Sequence, residues 1–598
     1  MSYLNSRLND FDLPYDMVMS VTQPTLNSDI QKWLLQYRGD GFKRVFVNDV
    51  SQGGGVSPKE EDLESLIDEL GFDPFTLKTS DTKFEEKVES LAEKKFLFGF
   101  HAIPGIPRQR PAELPPAFYA LEKTAGYGAN VSVNYLFYDF QLISLATNPT
   151  SPGDVWLNQS QNSANDERWV LTASQSMAIR QKTIDSEIDA ISPATKRVVK
   201  QYGEEHFSVR MPYFDLLSKP QHVQFSSISA AVKERITEEI GECLLDAVRK
   251  CYGHQLTEQG LDQAGVAVVA DILLPGSPPH IPTQMGLTVS IPKSSSGETH
   301  SNDLYAEAPP MLNYLAMTQK RDFGDYEDFA WNWLEPHEYH LFAGSFSLNA
   351  YRFVDMLNHA LSAELKDAVL NPVVDIESRC EHAHMEVAFQ SASGSYQFDF
   401  IPLEENHESG NAGPEYGCLS FDLNDSDYFD EDSDDAHCGH HREDSLKVWY
   451  GFDSAVILYQ QSSEVFIGEG PHTQVHIKLD GHRKSGKMVD FALEKYYQLT
   501  TKEGQLAAIL KNKSESDQSE SFQHSEWGDE QEQVDMLQAQ MKKDLRGRTI
   551  GIDQQITRQL QSVSNWMLPG SLNYTFEDTA FGEKYDVVAH LSHIAKLK

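Results

Sequence analysis

A strand-then-helix phrase near the N-terminus returns in degenerate form about 325 residues later, and this recurrence constrains the fold more than any other feature of the chain. In the first copy, residues 15–37, Met17, Met19 and Val21 alternate as in a half-buried strand. Pro24 then opens a helix whose Leu26, Ile30, Trp33, Leu34 and Tyr37 fall on one face. In the second copy, residues 340–365, Phe342, Phe346 and Leu348 lead into a helix whose Phe353, Leu357, Ala360, Leu361 and Leu365 form one stripe. Neither unit can bury its stripe alone, so the recurrence predicts two related halves around an apolar interior.

The 598 residues are enough for several domains with ample core, and the 40% apolar content is that of a globular protein. The formal charge of −40 is the outlier. A surface of that sign repels phosphate backbones and anionic membrane faces, so no nucleic-acid partner is expected. No run of 18 apolar residues offers a transmembrane segment, and the opening MSYLNSRLNDFDLPYD lacks the basic and apolar regions of a signal peptide. These features predict a cytoplasmic protein, with signal-independent release as a route out. Cys243, Cys251, Cys380, Cys418 and Cys438 are odd in number and scattered, which predicts reduced thiols.

The clearest helix spans residues 226–251, where Ile228, Val232, Ile236, Ile240, Leu244 and Val248 recur every four residues. Lys233, Glu234, Glu238, Glu239, Glu242, Asp246 and Arg249 occupy its other faces. Residues 131–145 are apolar on both sides of a strand, so both sides are covered. Residues 59–97 read as two acidic helices, the stretch after the polar loop 148–166 as helical, and residues 489–510 as mostly helix. Residues 385–390 and 396–401 read as a hairpin, 422–444 as an acidic low-complexity insertion, and 511–532 as a polar linker. Further helices around Val534, Leu537, Met541, Ile556 and Leu560 precede C-terminal strands. Strands in succession with few crossover helices predict an antiparallel α+β protein.

Motifs of chemistry are weak. Gly481 to Met488 has the spacing of a phosphate-binding loop, but Met488 stands where a hydroxyl must bind magnesium. The acidic run followed by His437, Cys438, His440 and His441 lacks the glycine and terminal glutamate of a calcium loop and has no cysteine pair for zinc. His337 and His340 are one residue short of the zincin spacing, and His382 with His384 share one strand face without a third ligand. No nucleophile elbow, dinucleotide fingerprint or Cys-x-x-Cys occurs. No catalytic set, cofactor or metal is expected.

Several short anchors resemble the TULIP (tubular lipid-binding) superfamily, in particular the accessory proteins encoded beside clostridial neurotoxins and their bacterial and fungal relatives. They are Tyr15-Asp16-Met-Val-Met-Ser20 with its helix, Trp331-Asn332-Trp333, Trp566-Met-Leu-Pro-Gly570, Phe576-Glu-Asp578-x-x-Phe581 and Asp586-Val-Val-Ala-His590. The resemblance implies an elongated α+β architecture, with curved antiparallel sheets wrapped around long amphipathic helices to form an apolar tube. It implies halves at residues 1–330 and 331–598, the second carrying the acidic insertion and the polar linker. It also implies a non-catalytic protein that binds or transfers a lipid or other long apolar ligand. Trp33, Leu34, Ile228, Val232, Ile236, Ile240, Leu244, Phe353 and Leu357 are the candidate lining residues. The rival is a structural or interaction component of a toxin or other protein complex, with a self-filled core; an enzyme with an unrecognised site ranks third.

Overall fold

The computed structural model describes residues 3–8, 15–49, 56–107, 118–147, 154–161, 169–187, 191, 193–225, 238–293, 308–378, 383–391, 399–402, 418–435, 442–459, 462–548, 553–563, 566–569 and 574–593. Within them the chain is α+β, and every named strand pairing is antiparallel.

The two copies of the repeated phrase meet. Strand Met17–Thr22 pairs directly with Gly344–Leu348, and Met19 lies opposite Phe346. Counting outward from that pair, Leu26 corresponds to Phe353, Ile30 to Leu357 and Leu34 to Leu361. The correspondence extends to the caps. Thr22 accepts a hydrogen bond from the Thr25 amide (3.4 Å) at the start of helix Gln23–Leu26. Asn349 accepts one from the Tyr351 amide (2.9 Å) at the start of helix Ala350–Ala368.

These strands form the middle of a six-stranded sheet in the order Pro282–Ser290, Met311–Thr318, Met17–Thr22, Gly344–Leu348, Val587–His593, Tyr574–Phe581. Each copy is therefore flanked by a hairpin from later in the chain, Pro282–Thr318 beside the first and Tyr574–His593 beside the second. A second pairing has the same logic. The strand before the first hairpin, Gly265–Ala270, pairs with the strand before the second, Met567–Pro569.

Strand Met17–Thr22 is buried along its whole length, not on one face as its alternation predicts. Met17, Met19 and Val21 join the main apolar cluster, while Val18 packs on the other side with Phe329, Trp331, Trp333 and Leu334. Of its two buried polar residues, Ser20 donates to Asn313 (2.6 Å), as a buried hydroxyl requires, and Thr22 caps the following helix.

An eleven-stranded sheet follows, with Asn130–Thr147 at its centre. A register shift beside Phe137 resets its alternation: Phe140 and Leu142 join Val133, Tyr135 and Phe137 in the main apolar cluster, with the Phe137 and Phe140 rings 4.8 Å apart, while Ile143 and Leu145 pack with the acidic helices and Tyr138 is exposed. Helices Leu63–Leu70 and Phe84–Glu93 account for the two acidic helices.

Four stretches differ from their sequence reading. Val170–Thr183 is a strand, because Leu171, Ala173, Gln175 and Met177 are buried with a period of two. Residues 489–510 belong to two strands, His482–Lys502 and Gln505–Asp517, joined through Glu503 and Gly504, both at positive φ. The apparent phosphate loop is another hairpin: Asp480 and Gly481 make the turn at positive φ, and Gly486 and Lys487 lie inside the strand opposite Val475 and Gln474. Ala383–Ser391 pairs with Leu370–Ser378, and Asp399–Pro402 pairs with Cys418–Asp435.

The acidic insertion contributes a strand, Cys418–Asp435, paired along its whole length with Arg442–Tyr459. On its other side, among the described residues, only Leu419 to Asp422 have a strand partner, Asp399–Pro402. An acid-rich strand at a sheet edge repels a second such edge, which suits that position. His437, Cys438, His440 and His441 lie outside the described residues. The expected polar linker is ordered, with Gln505–Asp517 in the sheet and Phe522 and Trp527 buried beyond it.

His280 is fully buried beside Ile281 in an apolar cluster. Burial, with His359 adding to it, pushes its pKa down from 6.5 to about 3. The folded state thus excludes a proton that the unfolded chain binds below pH 6.5, so stability contributed by the neutral ring falls as pH drops through that window. The loss is about 1.4 kcal/mol per pH unit. Urea unfolding of the wild type and His280→Gln between pH 7 and 4 should show the gap between them narrowing at about that rate. A pH-independent gap would contradict the neutral burial of His280.

Candidate ligand-binding interior

Helix Glu238–Glu258 carries the four-residue stripe into the large sheet: Ile240, Leu244, Val248, Tyr252 and Leu256 are all buried. The stripe continues past residue 251, where its sequence reading stops. Ile228, Val232 and Ile236 lie outside the described residues. Tyr252 is the hub of this region. Its ring centroid lies 5.0 Å from Tyr135, 5.7 Å from Phe137, 6.0 Å from Phe118, 6.1 Å from Trp33 and 6.3 Å from Phe42. Its hydroxyl donates to the Leu136 carbonyl (2.9 Å), and burial holds its pKa well above the ordinary tyrosine value. Trp33, partly buried, and Leu34, fully buried, come from helix Ser28–Gln36 to the same cluster.

One charged residue goes where the pattern does not send it. Arg249, on a polar face by sequence, is 1% exposed; it donates to the Leu216 carbonyl and pairs with Asp246 at 2.7 Å. A lone guanidinium in apolar surroundings needs such partners.

Phe353 and Leu357 are buried on helix Ala350–Ala368, and Phe353 faces Phe581 at 5.5 Å. They and the rings around Tyr252 belong to one contiguous apolar cluster. That cluster continues onto the long-stranded sheet through Val465, Ile467, Tyr497, Leu499 and Ala508, and under helices Glu530–Leu545 and Asp553–Val563 through Leu537, Met541 and Leu560.

Four of the five short anchors converge on the central sheet, while Met567–Pro569 of the fifth joins the eleven-stranded sheet. Asp16, fully buried, accepts from the Thr318 amide (2.7 Å) and hydroxyl (2.9 Å), pairs with Arg321, and has Arg352 at 3.4 Å. Asp586, also fully buried, accepts from Ser6 (2.8 Å), the Leu8 amide (2.6 Å) and the Ala350 amide (3.0 Å). His590 is sandwiched between Phe342 and Tyr3, with Glu338 at 3.3 Å and Asp578 at 3.2 Å. Burial raises the pKa of the Glu338 carboxyl, but His590, the Glu335 amide and His337 outweigh it and hold it below the ordinary value. These anchors are architectural: each joins segments far apart in the chain.

Among the described residues, no three His, Cys, Asp or Glu side chains are grouped so as to hold a metal ion. No described helix is long and apolar enough to cross a membrane. Cys243 and Cys251 are free thiols, pushed up in pKa chiefly by burial.

No family model and no curated protein matches the chain. Among solved structures, it is similar to P47 of Clostridium botulinum E1 at 8% identity and a TM-score of 0.39, over 97% of this chain and 99% of that one. It is also similar to a lipopolysaccharide binding protein at 10% identity and a TM-score of 0.29, over 97% and 99% of the two chains. At these scores neither likeness carries an argument, and function rests on the chain's own geometry.

Proposed function

We propose that the protein binds a lipid or another long apolar molecule in a tubular apolar interior and carries it without transforming it. The observation that supports this reading is the continuity of the interior. One apolar cluster runs from Leu34 and Ile240, through Met19 and Phe346 at the middle of the central sheet, to Tyr497 and Leu499. A long apolar ligand gains about 0.8 kcal/mol for each methylene it buries in such surroundings. In this reading the chain has a TULIP-type architecture with halves at residues 1–330 and 331–598, and the two cross-pairings of corresponding strands favour that division. The lining is Trp33, Leu34, Ile240, Leu244, Phe353 and Leu357, with Ile228, Val232 and Ile236 continuing the helical stripe.

A second reading has its own support. Five rings around Tyr252 fill the space beside helix Glu238–Glu258 with the chain's own atoms. A structural or interaction component with a self-filled core, within a toxin assembly or another complex, needs no more. Native mass spectrometry of the purified protein, followed by lipid extraction and incubation with phosphatidylcholine vesicles, separates the two. Stoichiometric co-purified or acquired lipid is the expected result; protein that carries none and takes none up sinks the carrier reading.

A further inference from the structure

Among the described residues, the inner face of the long-stranded sheet is mostly apolar, with Asp444, Glu469, Thr473 and Lys495 as buried polar exceptions. Strand register fixes which side chains share that face. Across the sheet, Val456 is opposite Ile467, Ile467 opposite Lys495, and Lys495 opposite Lys513; one step along, Glu469 is opposite Leu493, and Leu493 opposite Glu515. Glu469 and Lys495 form an ion pair whose side chains are 0% and 6% exposed. Apolar residues border the pair on both sides along the strands: Phe491 and Leu493 on one side, Tyr497 and Leu499 on the other, all buried.

Helices Glu530–Leu545 and Asp553–Val563 contact different parts of the sheet. Helix Glu530–Leu545 runs along the rim of the sheet: Gln538 donates to the Met488 carbonyl, Lys542 pairs with Asp517 at 2.9 Å, and Arg546, just past its end, pairs with Glu515 at 3.0 Å. The next helix makes its contact further along, where the Thr557 hydroxyl donates to the Ala508 carbonyl (3.0 Å). Lys513 lies between these two contacts and is exposed. The row Ile467, Lys495, Lys513 therefore leads from the closed interior to solvent, and two of its three members are cationic.

A buried ion pair is a weak source of stability. Its desolvation cost rivals its attraction, and apolar replacements of like volume are often neutral or stabilising. Kept inside an apolar face next to an exposed lysine, it suits recognition better than cohesion. We propose that Glu469 and Lys495 form the head-group anchor of the interior, and that the ligand is an amphiphile with a single carboxylate, such as a long-chain fatty acid. The chain lies against Ile467, Tyr497 and Leu499. The head group takes the place of Glu469 on the Lys495 ammonium. The acid's proton passes to Glu469, which becomes neutral and donates to the ligand carboxylate, so the buried charge is unchanged. A carboxylate is the occupant favoured because Lys495 already accommodates one.

The inference rests on the carrier reading, and its test keeps the two apart. Oleate and uncharged oleyl alcohol are titrated into the full-length protein and followed by native mass spectrometry. The wild type is expected to prefer oleate at least about tenfold. The double variant Glu469→Met, Lys495→Met is expected to lose that preference while keeping its affinity for oleyl alcohol. If the double variant does not fold, Glu469→Gln alone serves: removing the internal competitor should tighten oleate about tenfold and leave the alcohol unchanged. A double variant with undiminished preference, or Glu469→Gln with unchanged oleate affinity, overturns the anchor. Wild-type protein that takes both probes equally overturns the anchor and leaves the carrier standing; protein that takes neither overturns both.

Discussion

Asp586→Ala is expected to lower the free energy of unfolding by about 3–5 kcal/mol, the range for removing one partner from a buried charged network. The side chain is fully buried and joins three distant segments: Ser6 and Leu8 near the N-terminus, Ala350 at the start of helix Ala350–Ala368, and its own C-terminal strand. Alanine strands two backbone amides in a closed space, each lacking an acceptor, while the Ser6 hydroxyl can turn to Ser347 Oγ at 2.8 Å. It also removes an anion from the positive end of a 19-residue helix. Asp586→Asn keeps one oxygen but presents an amide to the other donors, so it should fall between the wild type and alanine. Urea denaturation followed by tryptophan fluorescence measures both variants. A loss below about 1 kcal/mol for alanine would mean that solvent or another residue takes over the two amides.

Asp16→Asn is expected to cost about 3 kcal/mol. The carboxylate holds the Thr318 amide and hydroxyl on one oxygen and faces Arg321 and Arg352 on the other. Asparagine is isosteric, so packing survives, and the measured loss reports charge and hydrogen bonding alone. Arg321 is 41% exposed at its side chain, and when it is removed Arg352 stays beside the same Asp16 oxygen. Arg321→Ala should therefore cost less than about 1 kcal/mol, and that asymmetry is the check. Equal losses in the two variants would show that Asp16 acts mainly through Arg321.

What the sequence made legible was local. The strand and helix of each repeated unit follow from apolar spacing and a capping residue, which need no knowledge of distant partners. Ile240 and Leu244 were legible for the same reason. The pairing of Met19 with Phe346 was not, because nothing within either copy encodes its neighbour across the sheet.

The misread helices have a common cause. In residues 489–510, Val489, Leu493 and Tyr497 satisfy a four-residue period, while Phe491, Leu493, Lys495, Tyr497 and Leu499 satisfy a period of two. The hairpin turns at Asp480-Gly481 and Glu503-Gly504 decide in favour of strands. Had the strand period been read, Lys495 would have stood out as a charge on the inward face. Arg249 gave no such signal, since its burial depends on a carbonyl, Leu216, from another segment. Charged residues are read as exposed by default, and only the fold reveals which are enclosed.

The meeting of the two copies also bears on how such a chain arises. Two corresponding strands that pair antiparallel, with Met19 facing its counterpart Phe346, reproduce the geometry of an isologous dimer, where one surface patch contacts itself across a two-fold axis. The second contact, between Gly265–Ala270 and Met567–Pro569, joins two strands that hold the same place in chain order, each just before a hairpin. A gene fusion that joined two self-associating subunits would leave this trace: a former subunit boundary now running through the middle of a continuous sheet, free to diverge on its two sides because they no longer share a sequence.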